Sequence, residues 1–290
     1  MNSEASGWKS YNYYSGTGSS NDGQMKTSDY MKYCDVTYNG NKYRGVTFST
    51  YRPYYTKDTS TTSTGITYQD DNGYTYGNVY WFKYEPLRWR ILDASTGLVM
   101  CETIIDSQPY NNYIISSGTD GLGLTACWGN SALTYYANNY AKSSIREWLN
   151  NDFYATAFTQ TQQSDIKTTT LNNDGYYTLT ERTGYEEFDA PSTSDKIFLL
   201  SFNEVNNRNY FSNSADLQLK GSDYAKCQGL YLPSDSNSDC SSWRLRSPSY
   251  RSDGACFIGR VGGTGNYCNT GSTDIGIVPA LTLNLSSLGS

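Results

Sequence analysis

Apolar and polar positions alternate with a period of two in three parts of the chain. The first is residues 34–55, where two runs rich in Tyr, Val and Thr flank Asn39-Gly40. That pattern predicts an antiparallel hairpin closed by a two-residue turn. The second is "GNVYWFKYEPLRWRIL". Val79 and Trp81 share one side of a strand there, and Tyr80, Phe82 and Tyr84 the other. Pro86 interrupts the ladder. Leu87, Trp89 and Ile91 then resume on one face, with Arg88 and Arg90 opposite. "DASTG" reads as a turn and "LVMCETII" as the returning strand. The third is "IVPALTLNL", where Leu281, Leu283 and Leu285 alternate as a terminal strand with one buried face.

The period lengthens to that of a helix in two places. In "SSIREWLNNDFYATAF", Ser144 stands three residues before Glu147, a capping-box spacing, and Ile145, Trp148 and Leu149 share one face. In "SFNEVNNRNYF" the same logic joins Ser201 to Glu204, after the short buried strand "DKIFLLS". Between the helices, "TQQSDIKTTTL" at 161–171 and the acidic stretch at 181–189 read as loop with one helical turn, and residues 56–64 and 221–242 as loops. Residues 1–33 show no sustained apolar period and read as a poorly ordered lead-in. The pattern predicts an α+β chain: antiparallel strands, two helices in the middle, and a long irregular C-terminal segment.

Composition narrows the chemistry. The 290 residues suffice for one large domain or two small ones. Only 17% are charged and the net charge is -6, which does not attract phosphate backbones, so no nucleic-acid partner is expected. Apolar runs such as "IFLL" and "LVMC" are too short to span a bilayer, and no leader is visible at residues 1–3. Histidine is absent, which removes Ser-His-Asp and Cys-His relays and every His-ligated metal site. The seven cysteines are odd in number and include no CxxC pair. Cys101 reads as a buried core thiol, and a bridge between Cys227 and Cys240 is left open. The Asp-rich stretch at 233–239 offers oxygen ligands, but no metal or cofactor is expected. The 29 tyrosines, beside abundant Ser, Asn and Gly, suit an outward contact surface.

The order of landmarks carries a resemblance. They are "WRIL" at 89–92, "SSIREWLNNDFYATAF" at 143–158, "DKIFLLSFNE" at 195–204, "WRLRSP" at 243–248 and "GIVPAL" at 276–281. The chain resembles an uncharacterised domain of bacterial surface and secreted proteins over residues 75–285. It departs from that pattern at Arg244, where a second aromatic is common, and at Val278, where many members have Arg. That domain looks like the C-type-lectin-like fold, in the branch shared with formylglycine-generating enzymes. The resemblance implies paired first and last strands, outer helices, a loop-rich C-terminal ligand face, and a secreted or cell-surface location. The strand near Trp89 is then expected to pair with that near Leu283. The implied domain runs over 34–290, with its core at 75–285. The sugar-binding calcium motifs of the lectins are missing.

Some proteins of that fold are variable targets of diversity-generating retroelements, which randomise adenines, often in AAC codons. Such codons cannot yield Lys, Glu, Gln, Met or Trp, and residues 249–275 contain none of these. The resemblance therefore implies a variable ligand-binding face at Tyr250, Arg251, Ser252, Asp253, Cys256, Phe257, Gly259, Arg260, Asn266, Tyr267, Asn269, Ser272 and Asp274. Cys256 and Cys268 are expected in an exposed setting, and Ala255, Ile258 and Gly262 as supports. Trp243, Arg246, Pro248 and Pro279 are expected as scaffold anchors, Arg246 as a buried fork holding loop carbonyls. The implied partner is a protein or cell-surface ligand, with no catalytic residue. Two alternatives stand beside this reading: a formylglycine-generating enzyme, which needs a reactive cysteine pair, and a structural surface module without a dedicated ligand.

Overall fold

The computed structural model describes residues 1–11, 31–49, 51, 69–111, 114–115, 126–127, 136–183, 188–233 and 239–285. It is a mixed fold of mainly antiparallel sheets with short helices. The first sheet has the order Lys9–Ser10, Met31–Tyr38, Asn41–Phe48, Val79–Lys83. Its hairpin turns at Asn39 (φ 48°) and Gly40 (φ 76°), with Tyr38 paired to Asn41. Positive φ at both turn positions is what the right-handed twist of the flanking strands selects, as the Asn-Gly pair predicts. Tyr80 and Phe82 pack inward with Met31, Val46 and Phe48. Trp81 faces the other way and lies over Gly45, its cross-strand partner, where an added Cβ would come within 2.7 Å of the ring.

The expected loose lead-in is corrected where it is described. Lys9 and Ser10 pair with Tyr33 and Lys32, Tyr11 is only 4% exposed, and Trp81 Nε1 donates to Asn2 Oδ1 at 2.7 Å. Sheet hydrogen bonds and aromatic burial hold this segment despite its polar sequence. Residues 12–30 and the Thr/Ser-rich loop at 56–64 lie outside the described residues.

The central sheet runs Ile166–Lys167, Ala280–Leu283, Leu98–Cys101, Trp89–Asp93, and Ile197–Phe198 also pairs with Ala280–Leu283. The segments near Trp89 and Leu283 thus share a sheet, but Leu98–Cys101 lies between them and they do not pair directly. The phase expected for "LRWRIL" also shifts. Ile91 is 67% exposed although it pairs in register with Val99, and the next residue, Leu92, is buried at the bulge between Ile91 and Asp93.

The long helix is Ser144–Trp148, a π turn at Leu149–Phe153, and Tyr154–Ala157. Its cap is Ser143, one residue earlier than the spacing suggested, and Ser143 Oγ accepts from Arg146 N at 3.3 Å. Ile145 and Leu149 are fully buried. The second helix is a single turn, Phe202–Val205, with the capping box as expected: Ser201 N donates to Glu204 Oε2 at 2.6 Å and Glu204 N to Ser201 Oγ at 3.2 Å. Regular structure occupies much of the region read as loop: a capped helix at Gln160–Asp165 and paired strands at Thr169–Asn173 and Ala190–Asp195, with a helical turn at Tyr176–Leu179 between them; residues 184–187 lie outside the described residues. Residues 221–242 likewise include the helix Asp223–Cys227.

The third sheet carries the C-terminal segment, in the order Thr264–Asn269, Gly254–Ile258, Trp243–Pro248, Gly276–Ile277, Asp106–Ser107. Residues 249–275 are therefore not irregular throughout. They form a β-hairpin laid against the Trp243–Pro248 strand, every residue of which is buried. One apolar cluster runs from Leu92 through Ile145, Phe198 and Trp243 to Leu281, joining the central and third sheets.

Candidate functional site

The Trp243–Pro248 strand is the floor of the site. Trp243 is fully buried and its Nε1 donates to Leu217 O at 3.0 Å. Arg244 is also fully buried and holds the descending end of the hairpin by main-chain carbonyls: Nη2 donates to Asn269 O at 3.1 Å and Ser272 O at 2.7 Å, and Nε to Gln108 O at 3.3 Å. Burial pulls its pKa below the ordinary guanidinium value. Arg246 acts as the fork read from the sequence, donating to Asn172 O and Leu199 O and pairing with Glu204. Pro248 and Pro279 are buried. Buried donors aimed at carbonyls satisfy backbone groups that a loop-rich face would otherwise leave unpaired.

Above this floor stands a row of aromatic rings drawn from two distant segments. Tyr250 lies 5.8 Å from Tyr267 and 6.2 Å from Tyr177, ring centre to ring centre. Tyr177 neighbours Tyr176 at 5.7 Å, and Tyr176 meets Phe202 edge-on at 5.2 Å. Arginines flank the row. Arg251 stands 4.8 Å over the Tyr267 ring, and Arg182 5.7 Å over Tyr176. Asp253 orients Arg251 through two contacts of 3.2 Å and accepts from Tyr267 OH at 3.3 Å. The loop carrying Arg251 is braced from below, where Asn138 Nδ2 donates to Arg251 O at 2.8 Å and Asn138 N to Ser252 O at 3.1 Å. Tilted and edge-on rings at these spacings favour one another, and a cation over a ring adds to that. The result is a pre-ordered amphipathic strip of mutually packed rings.

The sequence-derived face sorts into three groups. Arg251 and Asn266 are exposed. Tyr250, Ser252, Asp253, Phe257, Gly259, Arg260, Tyr267, Asn269, Ser272 and Asp274 are half-buried. Cys256 is fully buried and belongs to the core with Ala255 and Ile258, so it is removed from the contact face. Its strand packs that side chain inward against the central cluster. The segment also contains positions that fix its own backbone. Tyr267 covers Gly254 and Phe257 covers Gly265 so closely that neither glycine has room for a Cβ. Gly262 has φ +80° and its missing Cβ would overlap the Ser214 carbonyl. Substitutions that meet no clash across 249–275 are thereby restricted to outward positions.

Tyr176, Tyr177, Arg182 and Asn138 were missed from the sequence. The only signal was the "YYTLTER" run, most of which falls between the two stretches read as loop. The cysteines likewise differ from expectation. Burial pushes the Cys256 thiol up to about 12. Burial also raises Cys268, which is half-buried, against the opposing pull of Arg244. Neither is poised as a thiolate near neutral pH. Most of the Asp-rich stretch, at 234–238, lies outside the described residues. Among the described residues no three Cys, Asp or Glu side chains converge, and no helix is long and apolar enough to cross a membrane.

Comparison with curated proteins and with solved structures finds no match to this chain. A family model does match, over residues 98–285, which include the whole third sheet, the Tyr176 turn and all but the Trp89–Asp93 strand of the central sheet. The Met31–Phe48 hairpin lies outside that match. By this match over most of its length the chain belongs to the family described as Domain of unknown function (DUF6273).

Proposed function

We propose that the chain is a binding module of secreted or cell-surface type, with a C-type-lectin-like fold, whose aromatic–arginine strip contacts a protein ligand. The observation that carries this reading is the continuous row Tyr176, Tyr177, Tyr250 and Tyr267 with Arg182 and Arg251 stacked on it. Tyr and Arg dominate hot spots because they offer large contact area with few torsions and pair readily with both apolar and polar groups. Retroelement diversification belongs to the same reading in a narrower form. The positions available to it are outward ones such as Tyr250, Arg251, Ser252, Asp253 and Asn266, not the buried Cys256 or the covered glycines. The formylglycine-generating alternative is disfavoured by thiols that burial holds protonated.

The test is a binding screen of the labelled chain against an array of extracellular protein domains, repeated with Tyr177→Ala, Tyr250→Ala, Arg251→Ala and Tyr267→Ala. At least one variant is expected to weaken binding by more than about 2 kcal/mol, roughly thirtyfold. Melting temperatures of Tyr177→Ala, Tyr250→Ala and Arg251→Ala should stay near that of the parent. Equal binding by all four variants refutes the assignment of the face.

A further inference from the structure

The two halves of the strip come from segments far apart in sequence, and Arg246 touches the supports of both. Its main-chain N donates to Leu200 O at 2.9 Å, and its O lies 2.8 Å from the Tyr110 hydroxyl. The same hydroxyl lies 3.0 Å from Asn138 O, and Asn138 braces the Arg251 loop. Arg246 Nε donates to Asn172 O at 3.2 Å, at the end of the strand that leads through Gly175 into the Tyr176 turn. Nη1 donates to Leu199 O at 2.8 Å and Glu204 Oε2 at 2.6 Å, and Nη2 to Glu204 Oε1 at 3.1 Å. Glu204 in turn receives Ser201 N, which starts the turn whose Phe202 ring supports Tyr176. Phe202 N donates to Ser247 Oγ at 3.0 Å, next to Arg246 and three residues before Tyr250.

We infer that the Arg246–Glu204 ion pair is the positioning element of the strip, fixing where the Tyr176–Tyr177 turn stands relative to Tyr250 and Tyr267. The inference rests on reading the strip as the contact face. A planar guanidinium with its donors shared between two main-chain carbonyls and a bidentate carboxylate has one geometry in which all bonds are made, so it sets distance and angle together. A lysine keeps the charge but not the fork. Glutamine at 204 keeps the cap to Ser201 N but not the charge. The bidentate Arg44–Asp35 pair on the first sheet, at 2.9 Å for both contacts, has no link to the strip and serves as the comparison.

The experiment is native-state hydrogen exchange by mass spectrometry on Glu204→Gln, Glu204→Asp, Arg246→Lys and Asp35→Asn in the full chain. In the first three, peptides covering 172–179 and 249–254 should exchange at least tenfold faster, while those covering Leu98–Cys101 change by less than twofold. Asp35→Asn should leave both strip peptides unchanged. Unchanged strip peptides in the Glu204 and Arg246 variants overturn the inference. A uniform rise in all peptides, including outright unfolding of all three variants, makes the pair a general stabiliser and overturns it equally. Because no ligand is used, this result stands apart from failure of the binding reading itself.

Discussion

Replacing Trp243 by Ala removes the largest side chain buried in the core. The indole sits on a strand flanked by Ile258 on one side and Gly276 on the other, so the backbone on both sides is locked by sheet bonds and has little room to collapse. Truncating a fully buried Trp costs about 3–5 kcal/mol through lost transfer energy and the residual cavity. The change also strands Leu217 O, which the indole N–H satisfies, adding about 1–3 kcal/mol that overlaps the first term. The expected loss is about 4–6 kcal/mol. Against a total stability of about 5–15 kcal/mol this is a large share. Urea denaturation followed by far-UV circular dichroism reads the change without depending on the deleted fluorophore. The melting temperature should fall by roughly 8–24 °C, at about 2–4 °C per kcal/mol for a chain of this size. Tyr250→Ala, at a half-buried position on the strip, should cost no more than about 1 kcal/mol. A Trp243→Ala loss below about 1.5 kcal/mol, beside a larger loss for Tyr250→Ala, refutes the division into floor and face.

Two further outcomes are expected. Gly262→Ala should cost at least about 2 kcal/mol by chemical denaturation, since it meets both a left-handed backbone and the Ser214 carbonyl, whereas Gly263→Ala, with open space around it, should be close to neutral. The two glycines responding alike would contradict this account of the hairpin tip. Stability should also hold above about pH 5 and fall below it. Burial alone raises the carboxyls of Glu204 and Asp35, but Arg246 with Ser201, and Arg44 with Tyr84, outweigh it and hold both below their ordinary values. A carboxylate that titrates lower in the fold than in the unfolded chain contributes stability above its unfolded pKa and loses it as the pH falls through the folded one. Glu204→Gln should therefore be less stable at pH 7 and show a shallower acid decline in urea titrations at stepped pH. An unchanged decline would remove Glu204 from the linkage.

What the sequence determined by itself is what neighbours along the chain decide. Asn39-Gly40 makes its turn because only residues tolerant of positive φ fit a twist-matched two-residue loop. Ser201 and Glu204 cap their turn because both bonds close within four residues. Tyr80 and Phe82 fall opposite Trp81 because the strand period is two. Tertiary structure decided the rest. The bulge at Leu92 depends on how Trp89–Asp93 registers against Leu98–Cys101, and no local pattern encodes that register. The glycine-rich 254–269 segment has weak strand propensity, and it becomes a hairpin because it pairs with the buried Trp243–Pro248 strand while Tyr267 and Phe257 cover its glycines. Cys256 reads as exposed in a polar stretch, yet it is packed into the core beside its neighbour Ala255, where the register against Thr264–Asn269 shifts. The strip exists only because Arg246, Glu204 and Tyr110 bring the Tyr176 turn beside Tyr250, and such contacts are set by side chains that only the complete fold brings together.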